Sequence, residues 1–240
     1  MIKIGEFDKP PWINSEPRYN LAGPVSCTKC CDLGWVYDSW VRASRQCDCR
    51  RERIFAAKMR VIPPEFRYAD LSTLKPDPAK HEDQAGFIEL IQEHPTESFL
   101  FCGKNGAGKS HFSWALYREA CFREQKSVAM PTSLLMEEWR RWEISKSDDW
   151  QPQITPAKLR QTVDRYCIFL DEFDKLRVSE FASEKMFEFM DAALGYQHQL
   201  ICTSNMPIHE LRTYWSEQGS VWGASIVRRL QDLCVLVEMF

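Results

Sequence analysis

The stretch that decides the fold is GKNGAGKS at residues 103–110, which lies between an apolar run at residues 98–102 and a helical pattern at residues 109–124. A glycine, four residues and then Gly-Lys-Ser, placed between a strand and a helix, is the pattern of a phosphate-binding loop. Its glycines let the backbone curl so that successive N–H groups face one phosphate, and the positive end of the following helix points to the same place. The stretch therefore predicts a nucleotide site where a strand meets a helix.

Two side chains of this loop have specific expected tasks. Lys109 supplies a cation for the outer phosphates, and the Ser110 hydroxyl binds the Mg²⁺ ion that bridges the terminal phosphates. A glycine-rich turn that matches by chance is the alternative, and the strand before the loop and the helix after it disfavour that alternative. The residues expected to bind nucleotide are Gly103, Lys104, Asn105, Gly106, Ala107, Gly108, Lys109, Ser110 and His111.

A second polar cluster is expected at the carboxyl edge of the same sheet. The apolar run at residues 167–170 ends in Asp171 and Glu172, at the edge where such folds bind ligands. Asp171 is expected to hold Mg²⁺, and Glu172 to act as the general base for an attacking water. Asn205, after the fourth strand candidate, could orient that water. Capping of a turn is the alternative for the acidic pair, and an ordinary turn residue is the alternative for Asn205.

The rest of the pattern predicts an α/β fold with a parallel five-stranded sheet and helices on both faces. Short apolar runs alternate with longer helical patterns from about residue 98 onward, which is typical of a parallel sheet covered by helices. The strand candidates are residues 98–102, 127–130, 166–170, 199–203 and 234–238. The helix candidates are residues 109–124, 133–144, 179–194 and 224–232, and a short further helix is expected after the loop at residues 148–156.

Composition limits the broad class of protein. The chain has 240 residues, 44% hydrophobic and 27% charged, which is ordinary for a soluble globular protein and excludes disordered and fibrous classes. No window approaches the roughly 18 uninterrupted apolar residues of a membrane-spanning helix. Charged residues such as Lys3, Glu6 and Asp8 stand where a signal peptide would be apolar. We expect a cytoplasmic protein that does not contact a membrane.

Half of the ten cysteines crowd into one short stretch, as Cys27, Cys30, Cys31, Cys47 and Cys49. Clustered cysteines in a cytosolic chain of this size are more often metal ligands than disulfides. Cys27, Cys30, Cys47 and Cys49 are therefore predicted to bind Zn²⁺ tetrahedrally. The second pair has only one residue between its cysteines, and Cys31 could replace Cys30. Free thiols are the alternative.

The cysteine cluster and a following break predict two domains. The break is Pro63-Pro64, because each proline restricts its own backbone and that of the residue before it. Residues 1–61 are predicted to form a zinc-binding head, and residues 62–240 a nucleotide-binding domain. Arginines and lysines around and after the second cysteine pair could contact nucleic acid phosphates or an acidic protein. A solvated charged face is the alternative, and a modest basic stripe on a chain of net charge −3 is weak evidence for DNA binding.

With the phosphate loop, Asp171-Glu172 and Thr203-Ser204-Asn205 in this order, residues 62–240 resemble the AAA+ ATPases of the DnaC and DnaI helicase-loader type and their IstB-type transposition relatives. The resemblance implies hydrolysis of ATP with Mg²⁺. It also places Phe66 and Arg67 beside the adenine, although the segment that contains them could be a plain linker. Because the chain ends directly after the fifth strand candidate, we expect an AAA+ core without a helical lid.

The same resemblance assigns Arg229 as an arginine finger, offered to the terminal phosphate of a neighbouring subunit. A finger of this kind implies a homo-oligomer, because it stabilises the transition-state charge only when subunits pack together. The alternative for Arg229 is a solvated basic helix face.

The expected function is that of an ATP-dependent loader of a replicative DNA helicase. The cysteine-rich head resembles the amino-terminal zinc domain that grips the helicase in such loaders, and the ATPase core would handle single-stranded DNA. A transposition helper that binds duplex DNA is the alternative with the same active site. A small-molecule phosphotransferase and a nucleotide switch without hydrolysis are two further alternatives.

Overall fold

The structure, a computed structural model, describes residues 27, 29–30, 35–38, 43–79, 81–145, 150–217 and 221–240. Cys31 and the charged amino-terminal stretch considered above lie outside the described residues. The chain divides into two compact units, Met1–Arg60 and Val61–Phe240, and each is taken by itself below.

The smaller unit contains a hairpin followed by a helix. Strands β1 (Trp35–Asp38) and β2 (Ala43–Gln46) pair antiparallel, with Trp35 opposite Gln46. Helix α1 (Asp48–Met59), which the sequence pattern did not predict, begins directly after Cys47. The buried residues Cys30, Cys47 and Cys49 form a small core with Cys27 and Val36 packed against it.

The larger unit alternates strands and helices along the chain. Its strands are β3 (Phe99–Gly103), β4 (Lys126–Pro131), β5 (Tyr166–Asp171), β6 (Gln199–Ser204) and β7 (Val235–Met239). Its helices are α2 (Gln84–Glu93), α3 (Lys109–Phe122), α4 (Thr132–Ser145), α5 (Pro156–Gln161), α6 (Glu180–Gly195), α7 (Ile208–Glu217) and α8 (Gly223–Leu233). Short 3₁₀ turns occur at Pro64–Phe66, Leu71–Thr73 and Phe173–Lys175.

The five predicted strands form one parallel sheet in the order β4-β5-β6-β3-β7, so the predicted α/β fold is confirmed. Strand β6 lies between the strand that enters the phosphate loop and the strand that ends in the acidic pair. Cys102 pairs with Ser204, and Leu170 pairs with Cys202. This register brings the carboxyl ends of β3, β5 and β6 to one edge of the sheet.

Helices cover both faces of the sheet because successive side chains of a strand point to opposite faces. Leu100 and Cys102 belong to a buried cluster that also contains residues of α4, α5, α6, α7 and α8. On the other face, Phe101 packs against Phe112 of α3, and Phe169 packs edge-on against Trp114 of the same helix. The central strands β3, β5 and β6 are almost wholly buried and rich in apolar residues, which explains why the sequence pattern located them well.

Two helices of this unit, α2 and α7, were not predicted from the sequence. Each has only 10 residues. Helix α7 buries only Leu211 and Trp215, so its apolar pattern is too short to be distinguished from a loop. Among the described residues, the longest helix has 16 residues, and none has the length and apolar character needed to span a membrane.

Candidate functional site

The phosphate loop has the backbone geometry that its glycines predict. Gly106 and Gly108 have φ angles of 84° and 107°, in the left-handed region that residues with a side chain rarely adopt. Helix α3 starts immediately after Gly108, whose carbonyl oxygen accepts the Phe112 N–H at 3.1 Å. The first N–H groups of a helix have no partner within the helix, and such an end attracts anions. The loop and the start of α3 can therefore cradle phosphate.

Lys109 is buried at the base of this loop. Its Nζ atom donates hydrogen bonds to the carbonyl oxygens of Gly103 at 2.7 Å and of Lys104 at 2.9 Å. Burial lowers the pKa of Lys109, and the negative charges of Asp174 and Asp171 oppose this shift. The ammonium group is thus held between the loop carbonyls and an acidic edge.

The loop is also held from helix α2 by Gln84, a residue that sequence reasoning missed. Its side chain is 3% exposed, and Nε2 donates to the carbonyl oxygen of Ala107 at 2.8 Å. Its Oε1 accepts the N–H of Asp77 at 2.8 Å. A buried glutamine with both ends of its amide occupied fixes the loop relative to the segment around Asp77. No local signal could have found it, because α2 itself was not predicted.

The acidic pair lies at the end of β5, beside the end of β6. The Thr203 hydroxyl donates a hydrogen bond to Asp171 Oδ1 and accepts the N–H of Glu172 at 2.9 Å. Glu172 has a φ of 53°, an uncommon backbone conformation for a residue with a side chain. The Thr132 hydroxyl donates to the carbonyl oxygen of Asp171 at 2.9 Å.

Asn205 lies next to the acidic turn and is held by Asp174, which sequence reasoning did not select. The Asn205 backbone N–H donates to Asp174 Oδ1, and its side-chain Nδ2 donates to Oδ2. Asp174 is 5% exposed. Its place three residues after Asp171 is visible in the sequence, but its contact with Asn205 depends on the pairing of β5 with β6.

One cleft of about 410 Å³ brings most of the predicted site residues together. Its volume is within the range of roughly 300–1,000 Å³ that is usual for small-molecule sites. Ten predicted residues line it: Phe66, Asn105, Gly106, Gly108, Lys109, Ser110, His111, Asp171, Glu172 and Asn205. Lys75, Asp77, Gln84, Phe112 and Thr203 line it as well. This cleft therefore joins an anion-binding loop to a pair of carboxylates.

Other predicted residues are placed differently. Arg67 is exposed and is not among the residues that line the cleft; its carbonyl oxygen accepts a hydrogen bond from Arg118 at 2.8 Å. Arg229 on α8 contacts α6, where its Nε and Nη2 atoms both lie 3.1 Å from Asp191 Oδ1. Its guanidinium carbon is 4.0 Å from the centre of the Phe187 ring. Arg229 thus has an intramolecular partner in this chain.

The four predicted zinc ligands come together in the smaller unit. The sulfur atoms of Cys27, Cys30, Cys47 and Cys49 all lie within 4.8 Å of one another. Cys27 and Cys47 are 3.7 Å apart, and Cys30 and Cys49 are 3.2 Å apart, measured between sulfurs. Tetrahedral zinc with Zn–S bonds of about 2.3 Å places its sulfurs about 3.8 Å apart. The Cys27–Cys47 distance matches this value and the Cys30–Cys49 distance is shorter, so the four sulfurs could hold the ion after a small separation of Cys30 and Cys49.

The thiols of this cluster differ in acidity. The backbone N–H of Cys30 is the main cause that lowers the pKa of Cys27 to about 7. The hydrogen bond with Cys30, together with burial, raises the pKa of Cys49. Four crowded thiols of this kind match the donor set of a structural zinc site.

A parallel sheet covered by helices, with a phosphate loop at the carboxyl edge, defines a P-loop NTPase-like α/β fold. No protein-family model matches the sequence, and no curated protein is significantly similar to it. Solved structures with this fold exist. The DnaC helicase loader aligns with a TM-score of 0.56 and 15% identity over 74% of this chain and 100% of that chain.

Two further structures have the same architecture. DnaI aligns with a TM-score of 0.54 and 18% identity, covering 75% of this chain and 95% of that chain. The replication initiator DnaA bound to AMPPCP and single-stranded DNA aligns with a TM-score of 0.52 and 16% identity, over 74% of this chain and 50% of that chain. This chain therefore spans about half of the DnaA chain. At these identities the likeness shows a shared fold.

Proposed function

We propose that this protein is an AAA+ ATPase that loads a replicative DNA helicase. The observation that carries the proposal is the single cleft that contains Lys109, Ser110, Asp171, Glu172 and Asn205. An anion-binding loop, a cation and two carboxylates at one sheet edge are the parts that ATP hydrolysis requires. The shared fold with the DnaC and DnaI structures supports the loader role.

The phosphate loop and the start of α3 bind the ATP phosphates, with Lys109 close to the outer ones. Phe66 and His111 lie at the same cleft with their ring centres 6.3 Å apart, and Phe66 contacts the adenine. Ser110 and Asp171 hold Mg²⁺, because both line the cleft and offer the oxygen ligands that this ion prefers. When bound, Mg²⁺ neutralises charge on the terminal phosphates.

Glu172 and Asn205 act on the attacking water. The Glu172 carboxylate accepts a proton from the attacking water. The water oxygen bonds to the terminal phosphorus of ATP, and the bond between that phosphorus and the leaving oxygen of ADP breaks. Asn205 orients the water by a hydrogen bond from its amide. Arg229 of one subunit reaches the terminal phosphate in the next, giving up its ion pair with Asp191, in which the Arg229 side chain is 25% exposed and that of Asp191 is 51% exposed.

The chain carries a zinc-binding head at residues 1–61 and an ATPase domain at residues 62–240. Cys27, Cys30, Cys47 and Cys49 hold Zn²⁺, which stabilises a unit too small to build a large core. The head binds the replicative helicase, and the ATPase domains of a homo-oligomer handle single-stranded DNA in the cytoplasm. The DnaA structure with single-stranded DNA supports this choice of nucleic acid.

The proposal is tested by ATP turnover with and without DNA, and by co-purification with candidate replicative helicases. We expect single-stranded DNA to stimulate turnover more than duplex DNA does. We also expect a helicase to co-purify with the full chain but not with a Cys47→Ser, Cys49→Ser variant. Stimulation by duplex DNA alone, without helicase capture, would favour a transposition helper. An absence of turnover under all these conditions would rule out the ATPase.

A further inference from the structure

The peptide unit between Asp171 and Glu172 is held at both ends by buried threonine hydroxyls. Its carbonyl oxygen, on Asp171, accepts from the Thr132 hydroxyl at 2.9 Å. Its N–H, on Glu172, donates to the Thr203 hydroxyl at 2.9 Å. Thr132 is 0% exposed and Thr203 is 2% exposed. Water therefore competes little for these hydrogen bonds, and the orientation of the peptide plane is fixed.

The direction of the Thr203 hydrogen bonds follows from the chemistry of the partners. A backbone N–H can only donate, so the Thr203 oxygen accepts from Glu172. An ionised carboxylate can only accept, so the single hydroxyl proton of Thr203 goes to Asp171 Oδ1. One hydroxyl thus orients the Asp171 carboxylate and anchors the Glu172 backbone at the same time.

The backbone at Glu172 needs such an anchor. Its φ and ψ are 53° and 56°, a left-handed conformation that is unfavourable for a residue with a Cβ atom. Residues of this kind persist where the surrounding structure over-determines them, and they concentrate at functional sites. Thr132 is the first residue of α4, directly after β4, and Thr203 lies near the end of β6. Because β4 and β6 are the two strands that flank β5, the turn is held from both sides.

We propose that Thr203 is a positioning residue that, together with Thr132, clamps the Asp171–Glu172 peptide and so sets both the metal-binding carboxylate and the general base. The inference rests on the proposed function. Ligand-orienting partners of this kind are worth about 10–100-fold in metal affinity or activity. The clamp belongs to the resting fold, so it can also be measured in the protein without nucleotide.

The test compares Thr203→Val, which keeps the shape and removes the hydroxyl, with Thr203→Ser, which keeps the hydroxyl. Three quantities are measured in the full chain: hydrogen exchange of the Glu172 amide without nucleotide, the Mg²⁺ concentration needed for half-maximal binding of AMPPCP, and kcat. A matched control is Ser183→Ala, because Ser183 is fully buried and its hydroxyl has no hydrogen-bond partner among the described residues.

We expect Thr203→Val to speed exchange of the Glu172 amide and to raise the Mg²⁺ requirement by about tenfold or more, with a similar fall in kcat. AMPPCP binding with Mg²⁺ chelated should not change, since Lys109 and the loop are untouched. Thr203→Ser and Ser183→Ala should behave like the wild type.

Two results would overturn the inference. The first is a Thr203→Val protein with wild-type amide exchange and wild-type Mg²⁺ requirement. The second is a Thr203→Ser protein as impaired as Thr203→Val, which would assign the effect to packing of the methyl group. These results can be distinguished from a failure of the proposed function. If the protein is not an ATPase, the wild type itself will neither bind AMPPCP with Mg²⁺ nor hydrolyse ATP.

Discussion

Asp174 accepts hydrogen bonds from both nitrogen atoms of Asn205, from the backbone N–H at 2.9 Å and from the side-chain amide at 3.3 Å. This double contact joins the turn after β5 to the end of β6. Because the carboxylate is almost fully buried, it holds the Asn205 amide in one orientation at the edge of the cleft.

The first prediction concerns this contact. Asp174→Ala should lower kcat by up to about 100-fold, because small misplacements of an orienting group cost catalysis of that order. The KM for ATP should change less, since Asn205 acts on the water. Lys175→Ala is the control, because it removes only the exposed partner that lies 3.8 Å from Asp174. Steady-state ATPase kinetics of the two variants test this prediction. Equal kcat values for Asp174→Ala and Lys175→Ala would contradict the proposed role of Asp174.

The second prediction separates phosphate binding from chemistry. Lys109→Ala should weaken ATP binding, because it removes the cation at the base of the loop. Glu172→Gln should keep binding and stop turnover, because an amide cannot accept the proton of the water. Calorimetric titration with AMPPCP and single-turnover assays measure the two effects. Equal loss of binding in both variants would be inconsistent with these roles.

The third prediction concerns Arg229. Arg229→Ala should spare nucleotide binding and lower turnover by about 10³-fold or more, the usual contribution of an arginine finger. Mixing this variant with Lys109→Ala chains should restore part of the activity. In a mixed oligomer, the intact nucleotide cleft of an Arg229→Ala chain can lie next to a Lys109→Ala chain that supplies an intact Arg229. Arg228→Ala is the adjacent control, with a side chain that is 82% exposed.

Failure to recover activity at any mixing ratio would count against a finger acting between subunits. In that case the contacts of Arg229 with Asp191 and Phe187 would define it as a clamp between α6 and α8. A fall in the unfolding temperature of Arg229→Ala, matched by Asp191→Ala, would identify the clamp.

The fourth prediction concerns metal content. The purified full chain should contain about one Zn²⁺, measured by mass spectrometry of metals, and Cys49→Ser should lose it. Loss of metal should also reduce the helical signal in circular dichroism, because α1 starts directly after the ligand Cys47. Cys234→Ala, outside the cluster, should keep the ion. A metal-free wild type with a full helical signal would exclude a structural zinc.

The fifth prediction concerns stability at low pH. His198 is buried, and its Nδ1 atom accepts a hydrogen bond from the Tyr166 N–H at 3.1 Å. The proton of the neutral ring is therefore on Nε2, which donates to the Leu159 carbonyl oxygen at 3.0 Å. Burial lowers the pKa of His198, although the bond to Leu159 opposes this shift. The unfolded chain therefore takes up a proton at a higher pH than the folded chain does.

The free energy of unfolding should accordingly fall as the pH drops below about 6.5, the ordinary pKa of histidine, and level off below the folded pKa. Urea denaturation between pH 5 and pH 8 measures it. His198→Gln should flatten this dependence, whereas replacement of the exposed His209 by glutamine should leave it unchanged. An unaltered slope in His198→Gln would assign the dependence to other groups.

The sequence by itself determined the elements whose signal is local. The five strands of the larger unit, the loop at residues 103–110, the Asp171-Glu172 pair and the cysteine pairs were identified from the sequence. Their signals, the apolar periodicity, the glycine spacing and the ligand spacing, extend over only a few neighbouring residues. The clustering of Cys27, Cys30, Cys47 and Cys49 followed from spacing and chemistry in the same way.

Only the tertiary structure decided how these parts are held. Gln84 contacts Ala107 across 23 residues, Asp174 contacts Asn205 across 31, and Thr203 contacts Asp171 across 32. These contacts depend on the order of the strands in the sheet and on the position of helix α2. The apolar periodicity of a short stretch of sequence encodes neither of these. Arg229 illustrates the same limit, because its pairing with Asp191 is set by how α8 packs on α6. Strand order and helix packing arise from burial summed over the whole unit, so they become visible only once the chain is folded.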